Sequence, residues 1–133
     1  MTDHINPPEL YNSLEFGFSH ASVSTGGKTI HCAGQVAWDK DHNTVGVGDI
    51  GAQATQALKN LRTVLAAAGA TPADIVRIRT YVVDHTPDKL GPVSEAMMAF
   101  LDGATPPPNT WIGVQALALP DFMIEIEAIA VID

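Results

Sequence analysis

The chain has 133 residues, 46% of them hydrophobic, and its 15 acidic residues against 7 basic ones give a formal net charge of -8. This length fits one domain, spanning residues 1–133, and can bury roughly two-thirds of the unfolded surface, so folding requires neither a disulfide nor a metal. The single cysteine, Cys32, excludes an intrachain disulfide and suits a reducing cytoplasm, while the acidic balance disfavours a phosphate-backbone partner.

Residues 1–15 read as a poorly regular arm, because Pro7-Pro8 blocks a helix. This stretch has neither the basic patch nor the apolar core of a signal peptide, and no apolar run in the chain reaches the ~18 residues of a membrane span. Residues 18–23 and 28–32 flank Thr25-Gly26-Gly27, which predicts a hairpin. A short strand over 34–38 is followed by the polar loop Asp39-Lys40-Asp41-His42-Asn43. From 49 to 68 the apolar residues Ile50, Ala54, Ala57, Leu58, Leu61, Leu65 and Ala68 recur at helical spacing, with Asp49 at the N-cap and Gly69 just past the C-cap.

Thr71-Pro72-Ala73-Asp74 reads as a capping box opening a short helical turn. A strand over 75–83 puts Val76, Ile78 and Val82 on one face and Arg77, Arg79 and Tyr81 on the other. Thr86, with Pro87 behind it, is placed to cap a second helix whose stripe is Leu90, Val93, Met97, Phe100 and Leu101. Two strands, 110–115 and 123–132, close the chain. The expected fold is α+β: a single mixed sheet with two helices on one face. The last strand offers apolar residues to both sides, so its other face calls for burial against sister subunits, with Arg77 or Arg79 pairing Glu127 there.

The candidate chemistry is sparse. Gly46-Val47-Gly48-Asp49-Ile50-Gly51 matches G-x-G-x-x-G, but Asp49 would repel a pyrophosphate and no buried strand precedes it, so it reads as a turn into a capped helix. His4, His20, His31, His42 and His85 lack metal-ligand spacing. Cys32 lacks a sequence-local base and reads as a buried thiol rather than a nucleophile. Glu125 and Glu127 point the same way, either as a paired interface or as a carboxylate that orients water. Three prolines, Pro106, Pro107 and Pro108, stiffen the approach to the penultimate strand.

Several segments together resemble the Rid (YjgF) family, also described as L-PSP endoribonuclease-like proteins. They are Gly17-Phe18-Ser19-His20-Ala21, Cys32-Ala33-Gly34-Gln35, Asp49-Ile50 with Gln53, Gln56-Ala57-Leu58, Asn60-Leu61, Ala67-Ala68-Gly69-Ala70, Asp74-Ile75-Val76, Tyr81-Val82 with Asp84, residues 107–114, and residues 124–131. The match runs from about residue 15 to the end of the sequence. The resemblance implies a chorismate-mutase-like fold, a cytoplasmic homotrimer with small-ligand clefts between subunits, and hydrolysis of reactive enamines or imines with no metal or organic cofactor. The acidic balance and the lack of a membrane-length apolar run leave neither a nucleic-acid nor a membrane partner expected.

The carry-over of site residues is partial. The family's P-A-R-[ST] element falls on Pro107-Pro108-Asn109-Thr110, so Asn109 stands where an arginine clamps the substrate carboxylate. Phe18 replaces a tyrosine, Ala33 a serine, and Trp111 a small residue, while Glu125 keeps the place of the glutamate that positions water. His20 lies beside this set. Glu125 is thus the expected catalytic residue, and Asn109, Phe18, Ala33, Trp111, His20 and Thr110 the expected substrate contacts. Three functional readings stand: a deaminase of altered specificity, a non-catalytic ligand-binding homologue, and, against the charge balance, an endoribonuclease.

Overall fold

The computed structural model describes residues 2–133. Its strands are β1 (Thr2–Ile5), β2 (Ala21–Ser24), β3 (Lys28–Gln35), β4 (Ile75–Val83), β5 (Asn109–Val114) and β6 (Ile124–Ile132), and its helices are α1 (Ile50–Ala67) and α2 (Leu90–Leu101). A mixed sheet is ordered β3-β6-β4-β5, with β4 and β5 parallel and the other pairs antiparallel. The expected α+β architecture is therefore present, and both helices cover one face of this sheet.

β6 is central, hydrogen-bonded to β3 on one side and β4 on the other. Its Ile124, Ile126, Ala128 and Ala130 are buried towards the helices, with Ile78 and Val82 of β4 and Leu58, Leu61 and Leu65 of α1. On α2 the predicted stripe buries Val93, Met97, Phe100 and Leu101, while Leu90 stays exposed. Burying each such side chain contributes about 1.5–3 kcal/mol, enough in sum to hold the helices on the sheet.

The caps follow the sequence. Asp49 accepts from the Ala52 N–H at 3.0 Å, and Asp74 accepts from both the Thr71 N–H, at 2.7 Å, and its hydroxyl. Thr86 differs from expectation: its hydroxyl donates to Asp88 at the start of a 3-10 turn over Pro87–Lys89, and α2 begins only after that turn.

Four further expectations are corrected. Residues 28–35 form one strand, with an irregularity between Cys32 and Gln35, and Trp38 is left to an isolated bridge with Thr44. The 18–23/28–32 hairpin does not form, because β2 pairs with β1 and β3 pairs with β6. The arm is ordered too. β1 joins β2 in a separate ribbon, and Asn6 accepts from the Ser13 hydroxyl and the His20 N–H while donating to Ser19. Finally, a shift of register at the start of β4 buries Ile75 towards the helices and leaves Val76 half-buried.

One buried polar side chain ties the loops to the core. Gln53 has no solvent exposure; its Nε2 donates to the carbonyls of Gly46 (3.2 Å) and Asp121 (2.8 Å), and its Oε1 accepts from the Met123 N–H (2.9 Å). Gln53→Leu keeps the volume but leaves the Asp121 carbonyl and the Met123 N–H without their partner, whereas the Gly46 carbonyl keeps the Asp49 N–H; the cost is about 1–3 kcal/mol per buried group. The expected outcome is a loss of roughly 2–4 kcal/mol, read in urea as a lower midpoint at unchanged slope.

Candidate functional site

The walls of the site come from three places. Asn12 to Gly17 makes one 3-10 turn, and Gly17, at φ 81°, turns the chain so that Phe16 and Phe18 flank it. Ser19 then pins this turn to the proline run: its N–H donates to the Pro107 carbonyl at 3.2 Å and its hydroxyl to the Pro106 carbonyl at 2.6 Å. The prolines deliver Asn109 and Trp111 at the start of β5, the sheet edge, and α2 closes the third side.

The result is a cavity of about 140 Å3 lined by Phe16, Phe18, Val93, Met97, Asn109 and Trp111, together with Leu90, Ser94 and Gly17. It is aromatic and aliphatic apart from Asn109 and Ser94, and among the described residues no charged side chain lines it. Trp111 is held by its indole N–H, which donates to His85 Nδ1 at 3.2 Å. The Asn109 amide is held from below by Thr80, whose buried hydroxyl donates to Asn109 Oδ1 at 3.1 Å.

Of the residues expected at the site, Phe18, Asn109 and Trp111 share this cavity, whereas His20, Ala33, Thr110 and Glu125 do not line it. His20 backs the wall: its ring packs edge-on against Tyr11 and Phe18, and Nε2 lies 2.9 Å from the Tyr11 carbonyl oxygen. Thr110 and Glu125 lie on the other face of the sheet, because β5 and β6 alternate. Thr80 and Trp111 are register partners facing the helices, whereas Tyr81, paired with both Ile112 and Glu125, faces away. Ala33 is exposed on β3, next to Gly34, where an added Cβ would collide with the Glu125 carboxylate.

That second face carries a polar cluster. Tyr81 donates its hydroxyl to Glu127, and Arg79 lies 3.9 Å from the same carboxylate, the pairing expected for one of the two arginines. Arg79 Nε is buried without a hydrogen-bond partner. Sequence reasoning missed Phe16, Ser19, Thr80, His85 and the α2 residues. Only the α2 stripe carries a local signal; the others matter through contacts distant in sequence.

Among the described residues no group of three His, Cys, Asp or Glu side chains is placed to hold a metal, and no helix is long and apolar enough to cross a membrane. The Gly46–Gly51 segment is a loop into α1, with the Gly46 carbonyl taken by Gln53. Cys32 is buried at 5% exposure, and burial pushes its thiol pKa up.

The comparisons agree with this fold. The family model described as Endoribonuclease L-PSP matches residues 12–132. A Yersinia pestis protein of the conserved Rid family, YyfB, described as of unknown function, superposes with a TM-score of 0.96 at 53% identity over 98% of each chain. E. coli TdcF, solved with bound serine, gives 0.71 at 26% identity, covering 80% of this chain and 83% of TdcF. The rat 2-iminobutanoate/2-iminopropanoate deaminase is 34% identical over 105 residues, 78% of this chain and 73% of the rat protein.

The Cys32 thiol gives a direct check. Folding favours its neutral form, so the unfolded thiol ionises first as pH rises, and stability falls above the ordinary thiol range. Iodoacetamide at pH 8 is expected to modify native Cys32 at least about tenfold more slowly than the urea-unfolded chain. Equal rates would restore Cys32 as a reactive group.

Proposed function

The chain belongs to the endoribonuclease L-PSP family, the Rid family of the sequence resemblance, and we propose that it is a hydrolytic deaminase of an enamine or imine whose side chain is apolar. The observation that carries this reading is the aromatic-walled cavity lined by Asn109; in this reading Asn109 takes the place of a cationic clamp. The deaminase relatives support the reaction class, and the serine bound to TdcF supports an amino-acid-derived ligand. The net charge of -8 stands against a ribonuclease.

Phe18 and Trp111 seat the side chain, and Asn109 hydrogen-bonds the polar end. Glu125 accepts a proton from water as the water oxygen bonds to the imine carbon. Glu125 passes that proton to the nitrogen, giving a tetrahedral adduct with a hydroxyl and an amino group; the hydroxyl proton then moves by way of Glu125 to the amino nitrogen as the carbonyl forms and the C–N bond breaks, and ammonia leaves behind a carbonyl product. Glu125 and Asn109 lie on opposite faces of the sheet, so one protomer does not bring them together. In this proposal the half-buried face of Tyr81, Glu125 and Ile129 packs in a homotrimer, and the cleft is completed between copies.

The same separation favours a second reading, binding without turnover. Ammonia release from freshly generated imines of several amino acids distinguishes the two. The deaminase reading expects acceleration with apolar side chains, cut about 100-fold or more by Glu125→Gln. Retained binding with no acceleration across the panel establishes the binding protein. Asn109→Arg restores a charge-assisted clamp and is expected to improve activity on small carboxylate imines about tenfold or more. Native mass spectrometry is expected to give three times the 14.0 kDa chain; a monomer would remove the intersubunit cleft.

A further inference from the structure

The cavity holds a donor whose direction is already set. Thr80 is buried to 0% exposure on β4, and its hydroxyl hydrogen finds its acceptor in Asn109 Oδ1. A buried hydroxyl that lost this acceptor would bear the cost of desolvation. The bond therefore fixes which end of the Asn109 amide is which. Oδ1 is engaged by Thr80, and the Nδ2 group, with its two hydrogens, is left without a protein partner among the described residues. Asn109 lines the cavity, so the end of its amide not held by Thr80 is the donor end, with two hydrogens to offer a ligand.

Among the described residues no cation lines the cavity, and its apolar walls are Phe16, Phe18, Leu90, Val93, Met97 and Trp111. A carboxylate placed there would lose its hydration with only neutral dipoles, the Asn109 amide and the Ser94 hydroxyl, in return. At about 140 Å3 the space is close to that of engineered cavities in other proteins that hold one benzene ring.

We infer that the cavity takes a ring-sized ligand bearing a neutral hydrogen-bond acceptor, and that Thr80 is a positioning residue that turns the Asn109 amide N–H2 towards it. The inference rests on the preceding reading only in taking this cavity as the ligand seat, and it concerns affinity, not turnover. Thr80 reaches the ligand only through Asn109. The hydroxyl of Ser94, which also lines the cavity, can rotate to either polarity and sets no preference.

Calorimetric titration of the full chain with acetophenone, a neutral acceptor lacking an N–H or O–H donor, and with benzoate, its anionic counterpart, tests this. Wild type is expected to bind acetophenone at least about tenfold more tightly than benzoate. Thr80→Val frees the amide to turn and is expected to weaken acetophenone about three- to tenfold, with Thr80→Ser restoring it. Asn109→Asp removes the donors and is expected to abolish acetophenone binding, which keeps the test decisive if Thr80→Val fails to fold. Benzoate bound as tightly as acetophenone, no wild-type binding of either, or acetophenone binding indifferent to both Thr80→Val and Asn109→Asp would overturn the inference. Ammonia release alongside a benzoate preference sinks this inference alone. Acetophenone selectivity without ammonia release from any imine sinks the deaminase reading alone.

Discussion

Everything in this molecule hangs on the alternation of β6. It is the central strand, and every second side chain from Ile124 to Ala130 is buried against the helices. The intervening Glu125, Glu127, Ile129 and Val131 are half-buried on the face away from the helices, where Arg79 and Tyr81 meet Glu127. A slip of one residue would put two carboxylates into the apolar layer, so the register is strongly specified. The same alternation fixes the two sides of the candidate chemistry: an apolar cavity with an amide on the helix face, and a carboxylate beside Gly34 on the other.

Buried side-chain amides do the work between elements. Gln53 joins the loop before α1 to the entry of β6, and Asn60 donates to the carbonyls of Val36 and Trp38, with Gln56 donating to its Oδ1. These amides project from α1, a rigid helix, and satisfy backbone groups in irregular segments that have no strand partner. The resemblance picked out the same positions as a motif; the contacts supply the physical reason for them. The loops they hold lead to Gln35 and to Met123, next to the two strands that carry Gly34 and Glu125.

The helices, the Thr71 capping box and the strands β4 and β6 were legible because their signals are local: caps, apolar period and β-branched runs. Thr25-Gly26-Gly27 misled because a glycine turn between two β-prone runs specifies a change of direction and not a partner. β2 finds β1, and β3 finds β6 nearly a hundred residues on in sequence. The arm misled because its order comes from Asn6 bonding to Ser13, Ser19 and His20, none of which a local reading pairs. At the site, Asn109, Thr110 and Trp111 were grouped as neighbours, although on a strand Thr110 must face away from the other two. That division follows from the period of two and was readable; the supports from Thr80 and His85 were not.

In the proposed deaminase, these supports answer the exchange of a cation for an amide. A guanidinium attracts an anion over a wide range of orientations, because its charge dominates. An amide has a donor end and an acceptor end of opposite polarity, and turning it by half a rotation converts attraction into repulsion. Asn109 can replace a charged clamp only if something decides its orientation. Thr80 does so from within the core, where its hydroxyl is shielded from competing water. Trp111 meets the matching problem with its indole N–H, which would otherwise be a lone donor in an apolar wall and is instead satisfied by His85. The two anchors leave a cavity whose one polar group of fixed direction is the Asn109 amide, since the Ser94 hydroxyl can turn either way, and that asymmetry gives an otherwise greasy pocket a preferred ligand orientation.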